Sequence, residues 1–216
     1  ANSANNHVVE AISIPKPKIG RAAFLIRGTT PFVQHRLSQK ARQKMQETQE
    51  GGSQTRKGGL REKRDFNADY VASMYQLPDG GRGIPCAAFR GAMVSACKLV
   101  GFHMTKAKIS VFVEADGYDT SESIKALVRI TKGEPHPTGP MPARNDNGSL
   151  DLRNRAMWDM GWEARVSIKF NEVQFSLQDV ANLLDHAGQF VGVGEGRADS
   201  KDSCGMGWGH FDIVNQ

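Results

Sequence analysis

The alternation of strand-like and helix-like hydrophobic periods along the chain is the feature that most constrains its fold. A two-residue period over 163–170 (EARVSIKF) predicts a strand that buries every second side chain. Pro78 to Gly81 (PDGG) is typical of a tight turn after a strand. Further strands are predicted from period or composition over 21–27, 70–77, 106–114, 126–131 and 210–214.

Two segments instead carry the 3.6-residue period of an amphipathic helix. The first is predicted to begin at Pro85, which suits a first helical turn, and to end at Gly101. Its predicted buried stripe is Phe89, Met93, Ala96 and Val100. The second follows Ser176, which forms a Ser-x-x-Asp capping pattern with Asp179. Its predicted buried stripe is Leu177, Val180, Leu184 and Val191.

The order of these elements is β-α-β-β-α-β once two polar insertions, 37–64 and 133–155, are set aside. This order predicts an α+β fold with a ferredoxin-like (RRM-like) split β-α-β core, an antiparallel sheet carrying two helices on one face. The 216 residues suffice for one well-cored domain with insertions. Both insertions are expected to lie outside the core, and 133–155 is predicted to be a long Pro/Gly-rich loop.

Positive charge is concentrated in one part of the chain. Residues 16–64 hold 13 Lys and Arg against three acidic residues, a local charge of +10 that leaves −5 for the rest. We call 37–64 the basic arm. Such asymmetry favours a polyanionic partner, because phosphate contacts need positive charge along an extended track. The candidate phosphate ligands here are Arg27, Arg36, Lys40, Arg42, Lys44, Arg56, Lys57, Arg61, Lys63 and Arg64. Nearby rings that could stack on bases, or simply fill the core, are Phe32, Phe66, Tyr70 and Tyr75.

A glycine-rich segment follows the second predicted helix. Residues 192–197 (GVGEGR), here called the glycine loop, alternate glycine with other residues and end on Arg197. Glycines let a backbone approach a phosphate and adopt positive φ, although they are equally typical of a flexible connection. We therefore count as candidate nucleic-acid ligands Gly192, Gly194, Gly196 and Arg197, together with Arg90 on the first predicted helix.

Motifs for catalysis, metal or membranes are not found in the sequence. The six histidines have no HxH, HExxH or HxxxH spacing and the three cysteines no CxxC pair, so neither a metal nor another cofactor is expected. The cysteine usage suits a reducing cytoplasm, and the polar first ten residues do not look like a signal peptide. No apolar run is long enough to span a bilayer. His35 beside Arg36 is the one pairing that suggests RNA cleavage, with the histidine as general base.

Three segments resemble the RAMP superfamily of CRISPR-associated RNA-binding proteins, particularly its Cas7 backbone subunits. Residues 27–33 (RGTTPFV) are similar to the family's first strand and its Pro-containing turn, and 84–93 (IPCAAFRGAM) to its Ile-Pro helix entry. The glycine loop, with 205–211 (GMGWGHF), resembles the family's glycine-rich loop and following strand. The general build is also similar to that of phage and prophage proteins.

The resemblance implies a non-enzymatic protein that binds single-stranded RNA or DNA and assembles along the strand as a homo-oligomer. In such a protein the basic arm closes over a palm formed by the sheet and the first helix, and binding takes place in the cytoplasm without a membrane partner. Two alternatives remain open from the residues. One is a metal-independent endoribonuclease that uses His35, and the other is a viral structural or assembly protein whose basic arm meets an acidic partner.

Overall fold

The chain folds into an α+β structure in a computed structural model that describes residues 13–36, 64–121, 124–144, 150–199 and 205–214. The strands are β1 (Ile19–Gly28), β2 (Phe32–Gln34), β3 (Gly83–Pro85), β4 (Val111–Glu114), β5 (Gly117–Asp119), β6 (Lys125–Lys132), β7 (His136–Pro137), β8 (Met141–Arg144), β9 (Leu150–Arg153), β10 (Ala156–Trp158), β11 (Glu163–Asn171) and β12 (Phe211–Ile213). The helices are α1 (Phe66–Ala72), α2 (Cys86–Ala96), α3 (Met104–Ser110) and α4 (Leu177–His186), which continues into a π-helical turn, Ala187–Val191. None of these helices is long and apolar enough to cross a bilayer.

The main sheet is antiparallel and has the order β12-β1-β11-β6-β3. Strand β4 also pairs with β11, and β5 with β6. The longest ladder joins β1 to β11, from Ile19 opposite Asn171 to Arg27 opposite Glu163. Alternate residues of β11 are buried as predicted: Ala164, Val166, Ile168 and Phe170. Smaller sheets are formed by β2-β10-β7 and by the β8–β9 hairpin.

Helices α2 and α4 pack against each other and against the buried face of the main sheet. The predicted capping box is confirmed, because the Ser176 hydroxyl accepts from the Asp179 amide and the Asp179 carboxylate accepts from the Ser176 amide. Phe89, Met93 and Ala96 are buried as predicted. The prediction was wrong for Val100, since α2 ends at Ala96, and for Leu177, which is exposed in the first turn of α4.

Two predicted strands are partly helical. Over 70–77, helix α1 takes 70–72 because the Asp65 carboxylate accepts from the amides of Asn67 and Ala68 and caps a helical turn. Of the remaining residues, Gln76 forms an isolated β-bridge with Arg82. Over 106–114, only β4 is extended, and the preceding residues form α3. The alternation of apolar residues and lysines here fits both the two-residue period of a strand and the 3.6-residue period of a helix. Tertiary contacts at the end of α3 therefore decide which of the two forms.

The prediction of a loop over 133–155 was also wrong. This segment contains β7, β8 and β9, and its last two residues, Asn154 and Arg155, are only 8% and 6% exposed. Their polarity did not prevent burial because each has a partner: the Asn154 amide donates to the Phe66 carbonyl, and Arg155 pairs with Glu195. The strand β10 that follows carries fully buried Trp158.

Candidate nucleic-acid interface

A cleft of about 340 Å³ lies between β2, one face of α2 and the glycine loop. Its floor is the α2 surface formed by Ala87, Ala88, Gly91, Ala92 and Ser95. Phe32, Gln34, His35 and Tyr75 line one side, and Val191, Val193, Gly194, Glu195, Arg197 and Asp199 line the other. The volume falls in the range of small-molecule sites, and the lining combines apolar walls with a few polar groups.

The cleft joins the three sequence segments in which the family resemblance lies. Residues 27–33 lead into β2, 84–93 form β3 and the start of α2, and the glycine loop closes the opposite side. These segments are far apart in the sequence, and the fold brings all three to the same cleft. The structure therefore brings together the motifs themselves, though not every residue proposed within them.

Gly91 keeps the floor of the cleft open. A Cβ atom added there would meet no atom within 4 Å, so packing does not require glycine at this exposed helical position. Glycine inside a helix costs about 0.5–1 kcal/mol relative to alanine. The lack of a side chain gives a ligand access to the surface of α2.

The glycine loop is a firmly held turn rather than a flexible connection. Gly192, Gly194 and Gly196 have φ of +75°, +82° and +74°, which side chains rarely adopt. A Cβ on Gly194 would lie 2.5 Å from both Phe32 Cε2 and the Val33 carbonyl oxygen. The next amide donates to the Val33 carbonyl at 2.9 Å. The loop is thereby fixed against β2, with its glycines required by close approach.

The free hydrogen-bonding groups of this loop suit an anion. Within the described residues, the amides of Gly194 and Gly196 have no acceptor. The Arg197 guanidinium donates to the Gly194 carbonyl at 2.8 Å, which holds its charge at the cleft. Backbone amides in a positive-φ turn beside an arginine form a concavity of the kind that binds phosphate.

His35 faces a group of charges at the rim. Its Nε2 lies 3.4 Å from Arg153 Nη1, and Arg155 forms an ion pair with Glu195 at 3.1 Å. The pKa of His35 lies below its usual value, first because surrounding protein displaces water from the ring and then because Arg153 and Arg155 repel its proton. Glu195 and, more weakly, Asp69 oppose that lowering. The shift favours the neutral form of His35.

Several predicted phosphate ligands make structural contacts within the protein. Arg36 donates to the Met74 carbonyl at 3.2 Å and lies 3.6 Å from the buried carboxylate of Asp119. Burial alone would raise the pKa of Asp119, but hydrogen bonds from Ser121 and the charge of Arg36 lower it. Arg36 thus fixes the junction between β5 and the residues after α1.

Arg64 and Arg90 are held in the same way. Arg64 donates to Asp69 at 2.6 Å and to Asp151 at 2.7 Å, and these bonds outweigh burial and raise its pKa. The Arg90 guanidinium donates to the carbonyls of Lys108 and Val111, where it caps the end of α3. Arg90 consequently links α2 to the end of α3 and the start of β4.

Arg27 lies on the solvent face of the main sheet and pairs with Glu163 at 2.8 Å. Among the cationic candidates that the structure describes, Arg197 is the one that lines the cleft. The other candidates fall outside the described residues: Lys40, Arg42, Lys44, Arg56, Lys57, Arg61 and Lys63.

Both ends of the basic arm are anchored on β9. Arg64, at its carboxyl end, bonds to Asp151, and His35, just before its amino end, contacts Arg153. The described residues at both ends of the arm therefore contact the same short strand, and one of them, His35, also lines the cleft.

Four residues near the cleft were not identified from the sequence: Arg153, Arg155, Glu195 and Trp208. The first two lie in a Pro-, Gly- and Asn-rich stretch whose composition is typical of a loop, so their placement depends on the β9–β10 geometry. Trp208 packs against Gly196, and its position between two glycines was the signal that could have identified it. No group of three His, Cys, Asp or Glu side chains suitable for a metal ion occurs in the described ranges.

Comparison with protein families and with curated proteins finds no relative of this chain. No protein-family model matches the chain, and no curated protein matches it. Function must therefore be inferred from the cleft and its residues.

Proposed function

We propose that this protein binds single-stranded nucleic acid, RNA or DNA, without catalysing a reaction on it. The observation that carries the proposal is the convergence of three separate motifs on one cleft, lined by a positive-φ glycine loop and by Arg197. One side of the cleft offers donors for a phosphate, and the other offers an apolar surface on which an unpaired base can lie. A single strand supplies both groups in every nucleotide.

A ferredoxin-like core of the RAMP type is part of this proposal. In a split β-α-β arrangement, the third core strand lies between the first and the second. The order β12-β1-β11-β4, antiparallel throughout and with α2 and α4 packed together, supports that topology. The remaining strands β6, β3 and β5 extend beyond this core.

The basic arm supplies the longer-range attraction. It carries seven Lys and Arg between its two anchors, against three acidic residues. Because the arm follows directly after His35 and Arg36, and His35 lines the cleft, its charges would lie close to the phosphates next to a nucleotide bound there. The positive charges of the arm and the cleft would thus contact the same bound strand.

Arginine substitutions on opposite sides of the molecule test the proposal. Arg197→Ala removes a cation from the cleft, and Arg165→Ala removes one from the solvent face of β11, where Arg165 is exposed. In an anisotropy titration with a labelled single strand, Arg197→Ala is expected to weaken binding by about tenfold, the equivalent of one charge-assisted hydrogen bond. Arg165→Ala should bind as the wild type does. Equal affinities for all three proteins, or a loss confined to Arg165→Ala, would contradict the site.

The second candidate is an endoribonuclease, which the position and neutrality of His35 favour. A neutral imidazole at the rim of the cleft can accept the proton of a ribose 2′-hydroxyl as general base. Incubation of labelled RNA with a chelator present, using the wild type and His35→Ala, separates the candidates. Cleavage that His35→Ala abolishes would establish the enzyme, whereas intact RNA with retained binding supports the non-enzymatic protein.

Assembly along the strand completes the proposal. A cleft of this size holds one nucleotide or a few, so tight binding of a long strand would come from adjacent copies. The acidic remainder of the chain and the basic arm are unlike surfaces, and unlike surfaces favour head-to-tail contacts that form rings or filaments.

A further inference from the structure

The molecule has three tryptophans, and Trp208 differs from the other two. Trp158 and Trp162 are fully buried in the core, and the indole of Trp162 donates to the Thr30 carbonyl at 3.0 Å. Trp208 is partly exposed. Its indole nitrogen is not among the buried atoms and bonds to no residue in the described part of the chain.

The ring of Trp208 is held firmly against the glycine loop. A Cβ on Gly196 would lie 2.5 Å from Cε3 of the indole and 3.0 Å from Cδ2, so only glycine allows the six-membered ring to lie there. The backbone around it is also fixed, because Trp208 donates to the Gly196 carbonyl at 3.3 Å and Gly209 to the Pro31 carbonyl at 2.7 Å. A ring supported in this way loses little conformational entropy when a second ring stacks on it.

The position of Trp208 relates it to the proposed site. Gly196, on which the ring lies, immediately precedes Arg197, which lines the cleft. An aromatic surface and a cation therefore belong to the same turn. Proteins that bind single strands without sequence preference combine these two elements.

We infer that Trp208 is a stacking platform for a nucleobase, adjacent to the nucleotide whose phosphate meets Arg197. This inference rests on the proposed function. It adds a second subsite where the Trp208 ring lies against Gly196, and it makes unpaired bases, not only phosphates, part of what the protein recognises. A duplex, whose bases are already stacked, cannot use this subsite.

Tryptophan fluorescence provides a direct test, because the two buried indoles are shielded and Trp208 is the ring available for stacking. The probes are an oligothymidine, an oligouridine and an abasic strand, each of about 20 nucleotides so that at least one site is filled. The proteins are the wild type, Trp208→Ala and Trp208→Phe, each checked for an unchanged thermal midpoint and an unchanged emission maximum of the buried indoles.

If the inference is correct, at least one base-bearing strand quenches the wild type and the abasic strand binds without quenching. Trp208→Ala should bind that base-bearing strand about tenfold or more weakly and the abasic strand equally well, and Trp208→Phe should keep most of the affinity. Binding without quenching, or unchanged affinity of Trp208→Ala, would overturn the platform and leave the cleft proposal standing. Failure of every strand to bind would contradict the proposed function, and the platform with it. A Trp208→Ala variant that fails to fold leaves the comparison of quenching by base-bearing and abasic strands in the wild type as the deciding result.

Discussion

At the scale of single residues, two glycines that line the cleft are glycine for different reasons. Gly194 has φ of +82°, and any side chain on it would collide with β2. Gly91 is helical and faces open space. The sequence pattern pointed to Gly194 within the glycine loop and not to Gly91. Only the structure shows that folding requires the first and that the second leaves the cleft open.

The two glycines should consequently respond in opposite directions to alanine. Gly91→Ala is expected to stabilise the fold by about 0.5–1 kcal/mol through higher helix propensity. Gly194→Ala should destabilise it by at least about 1–3 kcal/mol, because strain at positive φ adds to the collision with Phe32 and Val33. Urea unfolding of both variants beside the wild type measures the difference. Destabilisation by Gly91→Ala would show that neighbouring atoms crowd this position after all.

His35 should make stability depend on pH. Its pKa is lowered in the folded protein, so the unfolded chain binds more protons as the pH falls through the usual histidine range. The stabilising contribution is therefore fully present above the unfolded pKa of about 6.5 and is lost as the pH falls through the folded value. Urea unfolding between about pH 7.5 and 5.5 should show a steeper loss for the wild type than for His35→Gln. Parallel curves for the wild type and His35→Gln would mean that the pKa of His35 is the same in the folded and the unfolded protein.

At the scale of elements, the sequence predicted those whose pattern was local. The β11 alternation, the α4 capping box and the entry to α2 at Pro85 each depend on neighbouring residues, and each is present. Helices α1 and α3 were missed because their short segments fit both the two-residue period of a strand and the 3.6-residue period of a helix. The Asp65 cap decides for α1, and the hydrogen bonds from Arg90 decide for α3. Likewise β7 to β10 were missed because their stretch is rich in Pro, Gly and Asn. The polar residues buried between β9 and β10, Asn154 and Arg155, have partners far along the chain.

In the basic arm, too, the sequence showed the local pattern of charge but not the distant contacts that the charged residues make. Arg64 was predicted to contact phosphate, yet it binds Asp69 and Asp151. Charge alone does not distinguish a cation that meets a ligand from one that holds two elements together. The sequence supplied the glycine loop and Arg197, which line the cleft. Arg153, Arg155 and Trp208, which lie near it, could be identified only from the fold.

Neutralising the arm while keeping Arg64 should weaken binding without unfolding the protein. Replacing Arg56, Lys57, Arg61 and Lys63 by Ala is expected to reduce the slope of log affinity against log salt by about 0.7 for each phosphate that is no longer neutralised. The matched control is Arg64→Ala, which should cost about 0.5–1 kcal/mol of stability, as for a partly exposed ion pair, and should leave the salt slope unchanged. An unaltered slope in the fourfold variant would contradict a role for the arm.

At the scale of the whole molecule, asymmetry is the property with functional consequences. The basic arm follows directly after His35, which lines the cleft, and Arg36, and the rest of the chain carries an excess of acidic residues. One copy contacts a short length of strand, whereas successive copies could place the arm of one against the acidic surface of the next. Cooperative coverage of a strand would follow from that arrangement.

Light scattering with a strand of about 40 nucleotides tests the assembly, since sites of roughly 4–16 nucleotides leave room for several copies. The mass at saturating protein should correspond to more than one copy per strand, and the protein alone should have a smaller mass. A mass that never exceeds one copy per strand would refute assembly and leave binding by the single molecule.

The most direct test of the central claim is a titration of the wild type against matched single-stranded RNA, single-stranded DNA and duplex at two salt concentrations. We predict that at least one single strand binds with an affinity that falls as salt rises, because phosphate contacts release counterions. The duplex should bind at least about tenfold more weakly, because paired bases cannot enter the cleft. Absent or salt-insensitive binding, or equal affinity for the duplex, would contradict a single-strand interface at this cleft.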